Sequence, residues 1–414
     1  MYLCLAKYMG WGRAFALAHR ARICTPQPSG PTLHPLISAQ LIPSAMRDKI
    51  SLASGYGNFA VPAVAAEAAI RSISSGTLPV SDAAGLPALR EALAQGYQRP
   101  ITATQVVVTP GAKSALFALF KTLLRPQEEV LLPTPNWFGF GELITRAGGR
   151  VCPLPLSSES NYALTPAQLE AALTPQTRIL LLSNPNNPTG RVYTRQEMQA
   201  LLDVTRRFPE LYVVSDEIYH LITFGAEPVP SLLDFEDPHE RHVVVNGYSK
   251  SLALIGWGVG YLVAPAAVAA ACAAWQFATS VAVPAPNQLA ALAATQAASA
   301  IAAELLAQLQ PTRARMLAEL AALPHVPHGQ PEGTYYAFPD FRAYLTPHLP
   351  AAAAAAELVA SFQEAGVQVV DGSSCGPPGF VRLSYAVPEE TLREAMHRIA
   401  LVLQARQLAS DLGC

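Results

Sequence analysis

From residue 85 onward, short apolar runs alternate with segments of helical periodicity, and this alternation restricts the fold more than any other feature. The runs lie at residues 106–108, 130–132, 179–182, 212–214, 243–245 and 260–263. Each is too short for a core helix and almost uniformly apolar, the pattern of a strand buried on both faces. Helical spacing fills 114–124 and 196–208. Repetition of strand, helix and strand predicts an α/β fold with a mainly parallel sheet covered on both faces by helices. Ligands of such sheets bind at the carboxyl ends of the strands.

The pattern changes beyond Pro286 to a long Ala-rich helix, short strands near 333–338 and 380–385, and a final helix over 389–404. Six alanines after Pro350 make a strong helix start. The predicted organisation is a large α/β domain over 61–284 and a smaller α+β domain over 34–60 and 285–414. Residues 1–33 form an N-terminal extension. It carries Lys7, Arg13, Arg20 and Arg22 without an acid, and lacks the sustained apolar core of a secretory signal.

With 28 basic and 30 acidic side chains, the net charge of -2 gives no broad attraction to nucleic acid or an anionic membrane. A small-molecule substrate is expected instead. Only 14% of residues are charged, against ~25% in ordinary soluble domains, so much surface is expected to be covered by a second subunit. No charged side chain occurs between Lys250 and Glu304. Pro265, Pro284, Pro286 and several Gln and Asn residues interrupt that stretch, which reads as a buried helix and an interface rather than a membrane span. Cys4, Cys24, Cys152, Cys272, Cys375 and Cys414 are scattered, without metal-ligand spacing. No metal is expected, and a reduced cytoplasmic setting fits.

Four segments at strand ends carry candidate chemistry. Residues 106–113 read VVVTPGAK, a strand entering a glycine turn and a helix, so the amides of Gly111, Ala112 and Lys113 are available to an anion. A plain βα turn reads the same way. Residues 183–190, SNPNNPTG, form a stiff loop that holds Asn187 at the end of another strand. Asp216 closes the strand LYVVSD and Tyr219 follows one helical turn later; Asp216 also suits a helix cap. Ser249 and Lys250 follow the strand VVV, where an ammonium is costly unless it is used, paired or led to water.

In this order the segments resemble the fold-type I, class I/II aminotransferases, which use pyridoxal phosphate, and the resemblance implies a seven-stranded, mainly parallel sheet in a large cofactor-binding domain over 61–284. SLASGYGNF around Gly55, GLPALREAL, PTPNW with Trp137, NNPTG, DEIY, SK at 249–250, GTYY from Gly333 and FVRLSY around Arg382 follow in sequence. The resemblance implies that Lys250 joins the cofactor aldehyde as a Schiff base and later shuttles a proton. It implies that Asp216 meets the pyridine nitrogen, Asn187 and Tyr219 its phenolic oxygen, and Trp137 its ring face. Gly111, Ala112, Lys113 and Ser249 would hold the phosphate. Arg382 would clamp the substrate α-carboxylate, with Gly55 and Asn187 beside it, and a homodimer with shared sites is implied.

Two positions depart from the family. Its phosphate-binding arginine falls on Gly258, in GWGVG, and its phosphate-binding tyrosine falls on Val80. One charge-assisted hydrogen bond is worth ~1.5–3 kcal/mol, so looser cofactor retention is expected. Transfer of an amino group from an L-amino acid to a 2-oxo acid is the expected activity, with Lys113 favouring aspartate or glutamate. A carbon–sulfur β-lyase and a non-catalytic relative are the alternatives.

Overall fold

The computed structural model describes residues 48–411. The expected N-terminal extension, residues 1–33, lies outside the described residues, as do the first residues of the expected small domain and Cys4, Cys24 and Cys414. The described chain opens with strand β1 (Ile50–Ser51) and helices α1 (Ala63–Ser74) and α2 (Pro87–Ala94). Next come β2 (Val106–Thr109), α3 (Ala112–Leu123), β3 (Glu129–Thr134), α4 (Gly139–Ala147) and β4 (Arg150–Pro155). Then follow α5 (Pro166–Ala172), β5 (Thr177–Ser183), α6 (Arg195–Thr205), β6 (Tyr212–Asp216), β7 (His242–Gly247) and β8 (Gly260–Val263).

Strands β2 to β8 build one seven-stranded sheet in the order β2-β8-β7-β6-β5-β3-β4. Side chains alternate strictly between its two faces. Val106, Val108, Leu180, Leu182, Val213 and Val244 enter one core, and Val107, Ile179, Leu181, Val214, Val243 and Val245 enter the other. Burial on both faces is why these runs are apolar throughout. Strand β8 is antiparallel to β2 and β7, because β7 reaches it without a crossover helix. The sequence runs did not reveal β4, Arg-Val-Cys-Pro-Leu-Pro. It pairs only with β3 at the sheet edge, where Pro153 and Pro155 need donate nothing to a further neighbour.

The remaining elements are α7 (Ala266–Thr279), α8 (Ala285–Gln296), α9 (Ala298–Ala322), β9 (Tyr336–Ala337) and α10 (Ala351–Glu364). They are followed by β10 (Val367–Gln368), β11 (Val370–Asp371), β12 (Val381–Ser384) and α11 (Glu389–Asp411). The single Ala-rich helix expected beyond Pro286 is in fact two, α8 and α9, which meet at 79°. Alanine has no preferred face, so periodicity could not mark the bend. The Tyr248 hydroxyl, 2.6 Å from Thr295 Oγ1, ties the end of α8 to the main core. Among the described residues no single helix is long and apolar enough to cross a membrane.

Strands β11, β12 and β9 form a small antiparallel sheet, and β1 pairs with β10. The Ser384 N–H donates to the Leu52 carbonyl at 2.8 Å, which brings the segment after β1 alongside β12. That contact sets Gly55 and Arg382 in one place.

Candidate active site

Three adjacent strand ends frame the site. Asp216, the last residue of β6, stands level with Ser183 of β5 and Val245 of β7. The loop 183–190 leaves β5, and Lys250 lies three residues beyond β7. Among the described residues, the Asp216 carboxylate accepts one hydrogen bond, from the Ile218 N–H at 3.2 Å. Burial pushes its pKa up to about 6, against the opposing pull of that N–H and of Lys250. Burial also presses Lys250 down to about 7; Arg382 and Lys113 push the same way and Asp216 resists. At neutral pH the amine is therefore divided between its two protonation states.

The Gly55 carbonyl is a hub. It accepts from Lys250 Nζ, from the Tyr335 hydroxyl at 2.8 Å and from the Tyr336 hydroxyl at 3.1 Å. Tyr219 shares a 2.8 Å hydrogen bond with Tyr336 and meets both tyrosine rings edge to face. Burial raises all three phenols above their ordinary range, so they stay neutral. Tyr56, whose ring centroid is 3.7 Å from Lys250 Nζ, completes the group. Sequence reasoning gave Tyr56, Tyr335 and Tyr336 no role. They lie in segments it singled out, GTYY and SGYGNF, but nothing there signals that both reach one lysine.

Arg382 is 2% exposed. Its guanidinium donates to Asn187 Oδ1 at 3.1 Å and to the Ala53 carbonyl at 2.9 Å, and lies 4.3 Å from the Tyr336 ring centroid. No carboxylate pairs with it among the described residues, and its Nε is buried without a partner. A buried cation in that condition is held ready for an anion.

At the other end, Gly111 caps α3 with φ +82° and leaves the first-turn amides of Ala112 and Lys113 outside the helical hydrogen bonds, whereas its own amide, expected to be available, donates to the Thr109 carbonyl at 2.7 Å as the chain turns. Gly260 of β8 is pressed beneath this turn. A Cβ there would lie 2.9 Å from Gly111 Cα and closer still to the Ala112 nitrogen. Lys113 Nζ stands 5.2 Å from the Trp137 ring centroid, and Trp137 packs edge to face on Phe140. Ser249 is half-buried beside Lys250. Gly258 has φ +63°, and no atom lies within 4 Å of where its Cβ would be. Val80 is 97% exposed and touches none of this within the single chain.

The structure thus gathers Gly55, Asn187, Asp216, Tyr219, Lys250 and Arg382 into one group, in which Asn187, Asp216, Tyr219 and Arg382 are buried and Gly55 and Lys250 half-buried. Gly111, Ala112, Lys113 and Trp137 form the adjoining end, tied to it by the influence of Lys113 on Lys250. No cluster of His, Cys, Asp or Glu suited to a metal ion occurs among the described residues.

Known proteins share both sequence and architecture with this chain. An aspartate/prephenate aminotransferase of Thermus thermophilus is 35% identical over 363 residues, 86% of this chain and 91% of its own. The structure of Thermus thermophilus aspartate aminotransferase with maleate superimposes with a TM-score of 0.78 at 34% identity, covering 88% of this chain and 98% of that one. An aromatic aminotransferase from Pyrococcus horikoshii gives 0.80 at 29% identity, covering 90% and 99%. Residues 47–399 match the family described as aminotransferase class I and II. This chain belongs to that family, whose members are pyridoxal-phosphate-dependent transferases of nitrogenous groups.

Proposed function

We propose that the chain binds pyridoxal phosphate and moves the amino group of an L-amino acid, aspartate or glutamate by preference, to a 2-oxo acid. The observation that carries this reading is Arg382: a buried guanidinium with no carboxylate partner among the described residues, set beside an amine with a pKa of about 7. An amino acid supplies the missing anion and reacts at the neighbouring position.

The residues present fit the cofactor. Asp216 is a desolvated carboxylate with one hydrogen bond, a state relieved by a protonated ring nitrogen. Space is open above Gly111, and the amides of Ala112 and Lys113 suit a phosphate. When bound, pyridoxal phosphate supplies an aldehyde and an electron-withdrawing ring. The chain does the rest. Lys250 Nζ takes and returns a proton near neutral pH, and Arg382 holds the α-carboxylate. Asn187 Oδ1 orients Arg382, which leaves its amide nitrogen to meet the phenolic oxygen beside Tyr219. Trp137 offers a ring face, and Ser249 adds a hydroxyl at the phosphate end. Lys113 is the second cation of the site and supports a substrate with a distal carboxylate.

We further propose a homodimer. Ile70, Ile73, Leu78, Val80, Phe277 and Val281 are all exposed in the single chain, and a partner surface would cover them. Sedimentation as a monomer at micromolar concentration would count against this. The cytoplasm is the proposed location.

Absorption spectra of the purified protein with added pyridoxal phosphate, parent against Lys250→Ala, test the cofactor assignment. A visible band in the parent and none in the variant is expected; two colourless proteins defeat the proposal. Release of pyruvate and ammonia without an amino acceptor would favour the carbon–sulfur lyase instead.

A further inference from the structure

We infer that the Ser251 hydroxyl pins the turn carrying Asp216 and Tyr219 to the segment carrying Lys250, which makes Ser251 a positioning residue that acts through those two side chains. The inference rests on the proposed cofactor site, but the contacts that carry it lie wholly within the chain.

Ser251 is fully buried and follows Lys250 directly, so the two residues move together. Its Oγ donates to the Ile218 carbonyl at 2.9 Å and accepts the Leu221 N–H at 3.4 Å, reaching 33 and 30 residues back along the chain. Ile218 is also the residue whose N–H gives the Asp216 carboxylate its one hydrogen bond among the described residues, at 3.2 Å. Tyr219 is the next residue and lies between the two positions that Ser251 holds. One hydroxyl therefore brackets the tyrosine and grips the donor of the carboxylate.

The start of the turn is held independently. The Glu217 N–H donates to the Val245 carbonyl at 2.8 Å, and its carboxylate accepts the Ser231 hydroxyl at 2.9 Å and the Leu232 N–H at 2.8 Å. Those bonds tie the turn to β7 and to residues 231–232; Ser251 ties it to the lysine. Removing the hydroxyl takes a donor from the Ile218 carbonyl and an acceptor from the Leu221 N–H where no water reaches the serine, so the turn must shift to regain partners. With pyridoxal phosphate bound, Asp216 and Tyr219 would keep its ring electron-poor, which lowers the basicity of a lysine nitrogen joined to it. A slackened turn raises that basicity.

Two measurements on the purified full chain test this: hydrogen exchange of the peptide spanning 217–222, and the pH midpoint of the visible band formed with pyridoxal phosphate. Ser251→Ala removes the hydroxyl, Ser251→Cys replaces it with a weak donor, and Ser251→Thr keeps it. Glu217 and His220 on the turn, and Lys250, Arg382 and Lys113 facing it, are the same in every variant. Exchange should quicken on the order of tenfold in Ser251→Ala, and the midpoint should rise by about half to one pH unit, less in Ser251→Cys. Ser251→Thr should match the parent in both. Midpoints that stay at the parent value in Ser251→Ala and Ser251→Cys, whatever the loss of thermal stability, overturn the inference, because the hydroxyl then serves packing alone. A Ser251→Thr midpoint that rises as far as that of Ser251→Ala overturns it as well. A parent without a visible band defeats the aminotransferase reading, and exchange then decides the pin by itself: unchanged protection of 217–222 in Ser251→Ala refutes it.

Discussion

Restoring an arginine at position 258 should tighten cofactor binding, and the structure sets the size of the effect. Gly258 has φ +63°, a conformation that costs a side-chain-bearing residue roughly 1 kcal/mol. Steric cost adds little, since nothing lies within 4 Å of the new Cβ. The turn is anchored by Gly260 directly beneath the Gly111–Ala112 peptide, two residues from position 258, so a guanidinium there is expected at the phosphate end. One charge-assisted hydrogen bond contributes about 2 kcal/mol. The balance, about 1 kcal/mol, is roughly fivefold in affinity. Equilibrium absorbance titration of Gly258→Arg with pyridoxal phosphate measures it, and titration with pyridoxal, which has no phosphate, is the control. Only the phosphorylated form should bind more tightly. If neither changes while the thermal midpoint is preserved, or if both tighten equally, the placement of the phosphate beside this turn is wrong.

Arg382→Lys keeps the charge but loses the fork that holds a carboxylate at two points, so kcat/KM for the amino acid should fall roughly ten- to a hundredfold, mainly through KM. Steady-state kinetics separate this from a fall in kcat alone, which would place Arg382 elsewhere in the reaction. Glu217 is buried beside Ser231 and Leu232, and desolvation lifts its pKa to about 7. Its folded pKa exceeds the unfolded value near 4.5, so the carboxyl's contribution to stability is complete below that pH and is lost as pH climbs through about 7. Glu217→Gln should therefore gain on the parent between about pH 5 and about pH 8, by on the order of 2 kcal/mol in urea unfolding; a constant difference refutes the titration. Gly260→Ala drives a Cβ into backbone that cannot yield and should cost ~1–3 kcal/mol with loss of cofactor retention, read by thermal melting and dialysis. Unchanged stability would show that the contact beneath α3 is slack.

Local chemistry was enough to reveal much of this protein. Strands buried on both faces must be apolar at each position, so β2, β3, β5, β6, β7 and β8 announced themselves, and their ends marked where Asn187, Asp216 and Lys250 stand. Features that depend on a neighbour stayed silent. Strand β4 is defined by lying at an edge, and the Gly55 hub by tyrosines some 280 residues away in the chain. Arg382 shows the division most plainly. Its sequence segment identified a cation, but only the tertiary structure buried it without a carboxylate partner among the described residues, and it is that desolvation which makes the arginine a receptor for an anion.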